Sequence, residues 1–495
     1  MSFIPFPPLK LTLATLLLLL IFMIYPAVKL LPTNTSDSLL VSGQFSQYAN
    51  KENFRLVRIA QDDGSSFYNS IPALFDSGYG VFQGSIYAIE SNSHETRFLL
   101  GGSNLGFNGA AATNIIAIDS IGKPDLSFAS GSGFNGVVDT IKKDPWAAEK
   151  YYVGGEFTTY NGHPAPGIIR LNADGSIDNS FSIGKGVELL GENNPARVVT
   201  IAFHKSEGLI CFGGTFSHFN GEQHNNIACM YEIGVERIFG SRTVTIDPFQ
   251  TSLGFFQMPP SANQFTPVSA YSDEVDQIEI DEINNKIYIS GQFNTYATKD
   301  ASGQFVPGNS IQIGNFCRLS LNGTLNKSYP YEGILAKRMS FVLDEPNAVI
   351  IGAKTYDGIP YASLIKFDRD TQALIPGFAI MVNQNPNPGS PNPNPYKGVH
   401  SKQILHGTGE WIDYIYLLQG EGQLSPNGDG YALYNLEKHA PLIRIHRETG
   451  KIDPSFMFGP INGKEATRFM VLKENDYGLF DYILENFFGL NLADE

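Results

Sequence analysis

Residues 152–180 read YVGGEFTTYNGHPAPGIIRLNADGSIDNS, and Phe181 follows. The stretch contains a glycine pair, an Asn-Gly pair, an Asp-Gly pair and a D-x-S-F sequence. Gly adopts positive φ without steric cost, and Asn and Asp hydrogen-bond to nearby backbone, so these residues dominate tight turns. The stretch is therefore typical of short β-strands joined by hairpin turns.

The same pattern recurs along the chain. A glycine marker returns at steps of 53 to 77 residues, at Gly43, Gly102, Gly155, Gly214, Gly291, Gly352 and Gly420. A second marker, D/N-x-S-F/Y, follows in four of the units and begins at Asp125, Asp178, Asn326 and Asp453. We interpret both markers as structural: Asp and Ser fix turns, the aromatic residue wedges between sheets, and the glycines allow close approach of backbones near a bulge.

Each unit holds three candidate strands, and the chain is rich in turn and aromatic residues, with 50 Gly, 35 Phe and 23 Tyr. Sheets repeated at about this period must stack on their neighbours to bury both faces, and radial closure also hides their edges. The sequence predicts an all-β, seven-bladed β-propeller over residues 39–485. Residues 466–473 and 479–484 are expected to share one blade with the strand at 39–45. A helix over 476–492 is the alternative for the chain end.

The run GG-x-F-x-x-Y-N-G followed by I-x-R-L-N-x-D-G-S-x-D-x-S-F, at 154–181, resembles the delta-sixty-type repeat of bacterial β-propellers. The resemblance covers about residues 39–485 and is strongest in the second and third units. It implies a propeller fold without defined catalytic residues. Many proteins of that family resemble surface or secreted proteins of unknown activity.

The N-terminus differs in kind. Residues 11–25 carry no charge, and the apolar character continues to Leu31 with only Lys29 interrupting. This run approaches the roughly 20 residues that cross a bilayer. We predict a short segment at 1–10, a transmembrane or signal-anchor helix at 11–31 and a linker at 32–38, with the propeller on the extracytoplasmic side. A cleaved signal peptide and an apolar arm buried in an assembly remain open.

Two insertions and the C-terminal tail interrupt the repeat. The insertion at 234–272 predicts a loop with an apolar cluster, and the tail at 486–495 is not accounted for by the ring. Loops and exposed apolar residues often carry recognition. The candidate partner contacts are Phe255, Phe256, Met258, Phe487, Phe488 and Leu490. The second insertion, 383–398, alternates Asn and Pro and predicts an extended spacer.

The charge and the cysteines limit the possible partners. A net charge of −15 without a basic stripe argues against nucleic acid, whose binding needs clustered Lys and Arg. Cys211, Cys229 and Cys317 are too few for a disulfide framework, so each is expected to act as a small buried apolar residue. A Cys211 to Cys229 bridge, with Cys317 free, remains open.

Sequence motifs of catalysis are not found. The chain has no G-x-S-x-G, H-E-x-x-H or C-x-x-C sequence, and its nine histidines are dispersed over different units. His218 and His224 are the best candidates for a metal, although their spacing does not favour one. The sequence predicts no cofactor, no metal and no catalytic residue, and therefore a protein that is not an enzyme.

These features predict a non-enzymatic, membrane-anchored propeller that serves as a protein-interaction scaffold or accessory subunit outside the cytoplasm. Its partners would be proteins, embedded in the membrane or part of a larger assembly. Two alternatives remain open. One is a structural or adhesive component of a virus particle or surface filament, and the other is a hydrolase or ligand-binding propeller with a site in its central channel.

Overall fold

The chain divides into two compact units, Met1–Ser36 and Asp37–Glu495, and every residue described below lies in the second. The structure is a computed structural model. It describes residues 38–48, 51–52, 55–65, 82–107, 113–119, 122, 124–181, 184–190, 195–231, 252–256, 274–298, 311–326, 340–344, 346–352, 355–356, 359–360, 364–375, 378, 401–407, 411–419, 432–434, 437–440, 442–457 and 461–472.

The described residues form an all-β protein in which seven antiparallel sheets share one plan. We call the three strands of each main sheet the lead, middle and third strands. In that order, sheet 1 contains β34 (Ile461–Leu472), β1 (Ser38–Tyr48) and β3 (Leu56–Ala60), with β2 (Lys51–Glu52) added to β1; sheet 2 contains β4 (Phe82–Ser91), β5 (Arg97–Phe107) and β6 (Ile115–Asp119); sheet 3 contains β7 (Val137–Lys143), β8 (Tyr151–Glu156) and β11 (Ile168–Leu171); sheet 4 contains β13 (Arg197–His204), β14 (Leu209–Thr215) and β17 (Ile227–Tyr231).

The remaining main sheets follow in chain order. Sheet 5 contains β19 (Val275–Asp281), β20 (Lys286–Gly291) and β23 (Phe316–Ser320); sheet 6 contains β24 (Phe341–Asp344), β25 (Ala348–Gly352) and β28 (Leu364–Asp368); sheet 7 contains β29 (Ser401–His406), β30 (Tyr414–Gln419) and β33 (Leu442–His446). Three small accessory sheets have two strands each: β9 (Thr159–Tyr160) pairs with β10 (His163–Pro164), β26 (Thr355–Tyr356) with β27 (Ile359–Pro360), and β31 (Ala432–Tyr434) with β32 (Glu437–His439). Two further accessory sheets have three strands each. In one, β15 (His218–Phe219) pairs with β12 (Val187–Glu188) and β16 (Glu222–Gln223); in the other, β21 (Thr295–Thr298) pairs with β18 (Ser252–Phe256) and β22 (Ile311–Gln312).

The lead strands contact one another in a closed order. β4 contacts β34, β7 contacts β4, β13 contacts β7, β19 contacts β13, β24 contacts β19, β29 contacts β24, and β34 contacts β29. Buried apolar clusters follow the same order: they join sheets 1 and 2, 2 and 3, 3 and 4, 4 with 5 and 6, 6 and 7, and 7 and 1. Each main sheet therefore buries its two faces against two neighbours.

The chain ends meet in sheet 1. β34 from the C-terminal region pairs antiparallel with β1 from the N-terminal region, and Leu39 lies opposite Val471. The pairing expected for residues 466–472 is present. Residues 479–484 and the alternative helix over 476–492 lie outside the described residues.

The glycine pair reflects two different close contacts. In sheets 2, 3 and 4 the first glycine leaves room for a valine of the next lead strand: a Cβ on Gly154 would lie 2.9 Å from Val198 Cγ1. The second glycine passes the carbonyl of its own lead strand, since a Cβ on Gly155 would overlap the Val137 oxygen. Gly102, Gly214 and Gly291 have equivalent contacts with Ser85, Arg197 and Glu274. A bulge in the lead strand accompanies these contacts, for example between Val138 and Thr140.

The D-x-S-F marker forms a clamp at the end of the third strand. Asp178 Oδ1 accepts the backbone N–H of Ser180 at 3.0 Å and its hydroxyl at 2.7 Å, and Arg170 Nε donates to Asp178 Oδ2 at 2.7 Å. The Phe181 ring packs edge-on against Tyr152 at 5.2 Å. Asp125 and Asp453 accept from their own Ser in the same way. In these three units the Asp and Ser of the marker thus bond to each other within a turn, while residues 327–329 of the Asn326 marker lie outside the described residues.

The sheets vary one internal position. This position lies on the middle strand, two residues before the first glycine position. In sheets 3, 5 and 7 it holds a Tyr that lies opposite an Arg of the third strand; the pairs are Tyr152 with Arg170, Tyr288 with Arg318, and Tyr416 with Arg444. Sheet 4 places Cys211 opposite Cys229, with a Cα–Cα distance of 4.1 Å and a disulfide bond. Cys317 is free and buried. The open alternative of a Cys211 to Cys229 bridge is thus the one observed, while the expectation that all three act as small apolar residues is wrong.

The insertion at 234–272 is not entirely a loop. Residues 252–256 form β18, and Phe255 lies opposite Tyr296 of β21. The loop expectation is therefore wrong for Phe255 and Phe256, because pairing with a neighbouring strand satisfies their backbone. Met258, Phe487, Phe488, Leu490 and the spacer at 383–398 lie outside the described residues.

Gly352 lies opposite Leu364, as Gly101 lies opposite Ile115, so it occupies the first rather than the second glycine position.

Candidate functional site

The lead strands carry charged side chains at one shared register. On each middle strand, one residue lies two positions before the first glycine position. Its partner on the lead strand is Glu90 in β4, Lys142 in β7 and Glu279 in β19. Their partners on the middle strands are Leu99, Tyr152 and Tyr288. We call Glu90, Lys142 and Glu279 the lead-strand cluster.

Both carboxyl groups of the lead-strand cluster are electrostatically unfavourable. Burial raises the pKa of Glu90, and the charges of Lys142 and Lys143 and the backbone N–H groups of Ser91 and Lys143 offset this only in part. Burial also raises the pKa of Glu279, against the charge of Lys142 and a hydrogen bond from Gln277. Both side chains are half-buried, and Lys142 is exposed. One cation therefore acts on two carboxyl groups from two sheets that are not neighbours.

No direct ion pair neutralises this cluster within the described part of the chain. The charge of Lys142 lowers the pKa of both carboxyl groups. Lys142 nevertheless forms no ion pair of 4.0 Å or less with Glu90 or Glu279. The charge of Lys142 therefore acts on both carboxyl groups from beyond ion-pair distance. A desolvated carboxylate lacking a cationic partner is costly, and such groups concentrate at functional sites.

A second charged group lies closer to the glycine pairs. Arg197 donates to Asp139 through Nε at 2.8 Å and Nη2 at 2.6 Å, and its Nη1 lies 3.5 Å from Glu274 Oε1. Burial raises the pKa of Glu156; the charge of Arg197 opposes this, and those of Asp139 and Glu274 add to it. The single positive charge of Arg197 therefore acts on three carboxyl groups, those of Asp139, Glu156 and Glu274. Both groups leave the lead-strand region with a surplus of negative charge.

Hydrogen bonds from side chains join the lead strands to one another. Thr200 Oγ1 accepts the N–H of Ile278 at 3.3 Å, and Ser340 Oγ accepts the N–H of Ile404 at 3.0 Å. Gln277 makes the corresponding contact with Phe341, accepting its N–H at 3.1 Å and donating to its carbonyl at 2.8 Å. These bonds satisfy backbone groups at the edges of β19, β24 and β29 and join these strands to the lead strand before each of them.

The residues singled out in the sequence lie elsewhere. Gly102, Gly155, Gly214 and Gly291 lie on middle strands against lead-strand carbonyls, and Asp125, Asp178, Asn326 and Asp453 begin turns after third strands. None belongs to the lead-strand cluster. Glu90, Lys142 and Glu279 each follow an isoleucine of a lead strand, in A-I-E, T-I-K and Q-I-E, but this alternation is ordinary for a strand and does not reveal that the three residues act on one another.

The described histidines do not assemble a metal site. His218 Nδ1 lies 2.9 Å from Ser217 Oγ, and the His224 ring packs against Phe219 at 6.5 Å. Across the described ranges, no group of three or more His, Cys, Asp or Glu residues is placed to hold a metal ion. The same ranges contain no helix with the length and apolar character required to cross a bilayer. Residues 11–31, predicted to form such a helix, lie outside them.

Comparison with known proteins supports the propeller character of the repeat. Residues 150–181, which run from β8 through the D-x-S-F clamp of sheet 3, match the family described as "Domain of unknown function (DUF5122) beta-propeller". No curated protein matches the chain.

Solved structures with similarity to the chain include two Bacteroides proteins, each provisionally named 6-phosphogluconolactonase. The protein from Bacteroides uniformis is 8% identical, with a TM-score of 0.41, and the match covers 88% of this chain and all of the other. The protein from Bacteroides fragilis has the same identity and TM-score, with 89% and 99% covered. Similarity this low transfers no activity to the chain.

The predicted function requires correction. The sequence predicted a non-enzymatic, membrane-anchored scaffold or accessory subunit, and the comparisons contradict it, since both similar structures bear the name of an enzyme and neither is named for a scaffold or membrane role. The family match adds no support for an anchor. Within the described residues, the charged lead strands are the feature that calls for a functional explanation, while the partner contacts at Met258, Phe487, Phe488 and Leu490 stay predictions.

Proposed function

We propose that the chain is a seven-bladed β-propeller of the delta-sixty-repeat type that binds a small molecule carrying a protonated amine at the lead-strand cluster. The proposal assigns binding to this cluster and assigns it no chemical step. The closed order of contacts from β34 through β4, β7, β13, β19, β24 and β29 back to β34 supports the seven blades. The pairing of β1 with β34 would close the ring.

One observation carries the binding role: burial raises the pKa of both Glu90 and Glu279, which come from different sheets, and the charge of Lys142 acts on both, joined at Glu90 by the charge of Lys143. At neutral pH the ionised forms of these groups destabilise the folded chain, because burial removes their hydration. A bound amine would supply hydrogen-bond donors and a positive charge to the same carboxylates. The unfavourable arrangement of the free protein would thus become favourable in the complex.

The surrounding charges favour a cationic over an anionic ligand. The nearby group of Asp139, Glu156, Arg197 and Glu274 contains three carboxyl groups and one cation, and Arg197 already donates two hydrogen bonds to Asp139. Phosphorylated or carboxylate ligands would meet this negative surplus with few free donors. The net charge of −15 acts in the same direction at longer range.

The test uses two probes of the same shape. Isothermal titration calorimetry with 1,4-diaminobutane should show binding, and the uncharged 1,4-butanediol should show none. The double substitution Glu90→Gln and Glu279→Gln should weaken diamine binding at least tenfold, which corresponds to about 1.4 kcal/mol. It should also raise the melting temperature, because two unfavourable charges are removed.

Glu222→Gln provides the matched control, since Glu222 is an exposed carboxylate on β16 and its loss changes the net charge without touching the cluster. Sodium chloride of equal ionic strength in every titration controls for screening. Equal diamine binding by wild type and by the double variant would overturn the proposed site.

The disulfide supports a proposed location outside the cytoplasm. Cys211 and Cys229 form a cross-strand bridge between β14 and β17, and such bonds persist in oxidising compartments. Alkylation of native protein before and after reduction, followed by mass spectrometry, tests this. Free thiols at both positions in freshly extracted protein would contradict it.

A further inference from the structure

The contact between sheets 6 and 7 gathers positive charges around the carboxyl group of Asp344, which is buried at the end of β24. Lys366 Nζ, from β28, lies 2.8 Å from Asp344 Oδ2, and Arg447, which follows β33, donates through Nε to Oδ1. Lys366 also donates to the Arg447 carbonyl oxygen at 3.2 Å. We call Asp344, Lys366, His406 and Arg447 the 6–7 joint, because its cations come from both sheets.

His406 ends β29, and its ring lies against the end of β24. Its Nε2 lies 3.1 Å from the Leu343 carbonyl oxygen, and its Nδ1 lies 4.0 Å from Asp344 Oδ1. A carbonyl oxygen only accepts hydrogen bonds, so Nε2 carries the hydrogen of the neutral ring and Nδ1 carries the lone pair. A proton taken up by His406 therefore binds at Nδ1, inside the 6–7 joint.

A protonated His406 would be the third cation beside Asp344. Both oxygens of that carboxylate already bond to permanent cations, and Nδ1 at 4.0 Å is beyond hydrogen-bond distance. Glu448 also lies 3.4 Å from Lys366, but its side chain is 67% exposed, so water screens its charge. The new charge would thus meet two cations and a carboxylate that is already paired.

The forces on the His406 ring oppose its protonation. Burial lowers the pKa of His406, and the charges of Arg447 and Lys366 act in the same direction. The bond to the Leu343 carbonyl and the charge of Asp344 act in the opposite direction and offset this only in part.

Other strands also contact β29, namely β25, β30 and β34. β25 contains no titratable residue, and β30 contributes Tyr414 and Tyr416, of which Tyr416 donates to Gln61 Oε1 at 3.0 Å. The sequence of β34 contains two cations and one carboxyl group, at Lys464, Glu465 and Arg468. These strands therefore bring no surplus of negative charge to the ring.

The neighbouring contact, between sheets 5 and 6, follows the same plan. Arg369 follows β28 as Arg447 follows β33, and its Nη1 lies 2.8 Å from Asp281 Oδ2 at the end of β19. Asp281 and Asp344 lie at the same register of their lead strands, four residues before the first glycine position of the partner strand. An Arg–Asp pair thus joins both sheet boundaries.

The histidine is what distinguishes the 6–7 joint. At the register of His406, β19 carries Ile280 and β24 carries Leu343. An aliphatic residue therefore suffices at this place when an Arg–Asp pair joins two sheets. His406 adds a group that gains charge near neutral pH.

We propose that the 6–7 joint is an acid-sensitive switch: when His406 takes up a proton, a third positive charge beside Asp344 loosens the contact between β24 and β29. Above about pH 6.5 a histidine is mostly neutral in the folded and in the unfolded chain, so the switch is closed. As the pH falls below this value, the unfolded chain binds the proton more readily than the folded chain, and the joint loses stability. The switch needs no ligand and does not depend on the proposed amine site.

Three variants test the switch. His406→Gln removes the titrating ring and keeps an N–H donor for the Leu343 carbonyl. Arg447→Gln removes one permanent cation from the joint. Arg97→Gln is its matched control, because it removes the same charge from the partly exposed pair with Asp125 in sheet 2.

NMR of the histidine rings, assigned with His406→Gln, measures the proton uptake directly. We expect His406 to titrate below the ordinary value of about 6.5 in wild type. Arg447→Gln should raise this midpoint, since one repelling charge is gone, and Arg97→Gln should leave it unchanged. A wild-type midpoint at or above about 6.5 that Arg447→Gln does not raise would overturn the switch.

Hydrogen exchange locates the opening through two equivalent bonds. The Ile404 N–H bonds to Ser340 Oγ between sheets 6 and 7, and the Ile278 N–H bonds to Thr200 Oγ between sheets 4 and 5. Between about pH 7.5 and pH 5, wild type should lose protection at Ile404 relative to Ile278, and His406→Gln should lose less. Urea unfolding over the same range should show wild type losing stability relative to His406→Gln.

Both measurements remain decisive if Arg447→Gln does not fold. An equal loss of protection at Ile404 and Ile278 would overturn the switch, because acid would then loosen the sheets generally. The same pH dependence of stability in wild type and in His406→Gln would overturn it too.

Discussion

Replacing Arg170 with Met should be among the most damaging single substitutions in sheet 3. The guanidinium is buried and lies 2.9 Å from Asp144 Oδ2 and 2.7 Å from Asp178 Oδ2. It also donates to the Tyr152 hydroxyl at 2.9 Å. The substitution leaves two carboxylates without their shared cation, and breaking a buried ion pair costs about 3–5 kcal/mol. Lys150, 2.8 Å from Asp178, still compensates one of them, so we expect a value near about 3 kcal/mol.

The assay is equilibrium urea unfolding followed by tryptophan fluorescence. Trp146 reports on this region because its indole donates to the Lys205 carbonyl and packs edge-on against Phe203. Arg97→Met is the matched control: Arg97 pairs with Asp125 in the clamp of sheet 2, where the ion pair is partly exposed, and its loss should cost only about 1 kcal/mol.

A second variant keeps the prediction testable if the Arg170→Met protein does not fold. The double substitution Arg170→Met and Asp178→Asn removes one stranded charge, so it should cost less than the sum of the single substitutions. An Arg170→Met protein that is no less stable than Arg97→Met would refute the reasoning, because burial of the charges would then not determine the cost.

Three further predictions concern the repeat. Burial alone would raise the pKa of Asp178, but hydrogen bonds from Lys150 and Ser180 and the charge of Arg170 outweigh it and hold the pKa well below its ordinary value. The stability lost in Asp178→Asn should therefore be constant above about pH 5 and shrink as the pH falls below about 4. Reducing the Cys211 to Cys229 bridge, with a sequence separation of 18, should cost about 3 kcal/mol, read as a lower urea midpoint. Gly155→Ala should cost about 1–3 kcal/mol by the same assay, because the new Cβ would overlap the Val137 carbonyl.

Each of these predictions has an outcome that would contradict it. A stability difference for Asp178→Asn that stays constant down to pH 2 would show that the carboxylate is not held ionised. An unchanged urea midpoint after complete reduction would mean that the bridge constrains little of the unfolded chain. Gly162→Ala serves as the control for Gly155→Ala, since nothing lies within 4 Å of its Cβ position and only its positive φ of 76° opposes the substitution. A larger cost at Gly162 than at Gly155 would contradict the close-contact explanation.

The repeat markers could be predicted because turns and close approaches depend on short stretches of sequence. The Asn-Gly pair at Asn161, with φ of 50° and 76°, forms the hairpin between β9 and β10 as its residue types require. Asp178 and Ser180 lie two residues apart and bond to each other directly. The glycine pair could be assigned to a bulge region, although its two separate contacts, with Val198 and with Val137, became evident only once neighbouring sheets were in place.

The lead-strand cluster could not be predicted, for a different physical reason. Glu90, Lys142 and Glu279 are far apart in sequence and come together only through the closed order of the sheets and the register of their bulges. An alternating strand places charged residues at the surface by default, so each of the three resembles an ordinary solvated side chain. Their mutual effect on pKa depends on burial, which no single strand reveals. The bridge between Cys211 and Cys229 likewise depends on a pairing register that spacing alone leaves open.

The most direct test of the account is the titration of Glu90 and Glu279 by carbon-detected NMR, with the single Gln variants for assignment. We expect both carboxyl groups to titrate above the ordinary glutamate value of about 4.3, and both midpoints to fall when 1,4-diaminobutane is added, since a bound cation favours the ionised form. Two ordinary titrations that the diamine does not change would contradict the account, because the lead strands would then carry only solvated charges.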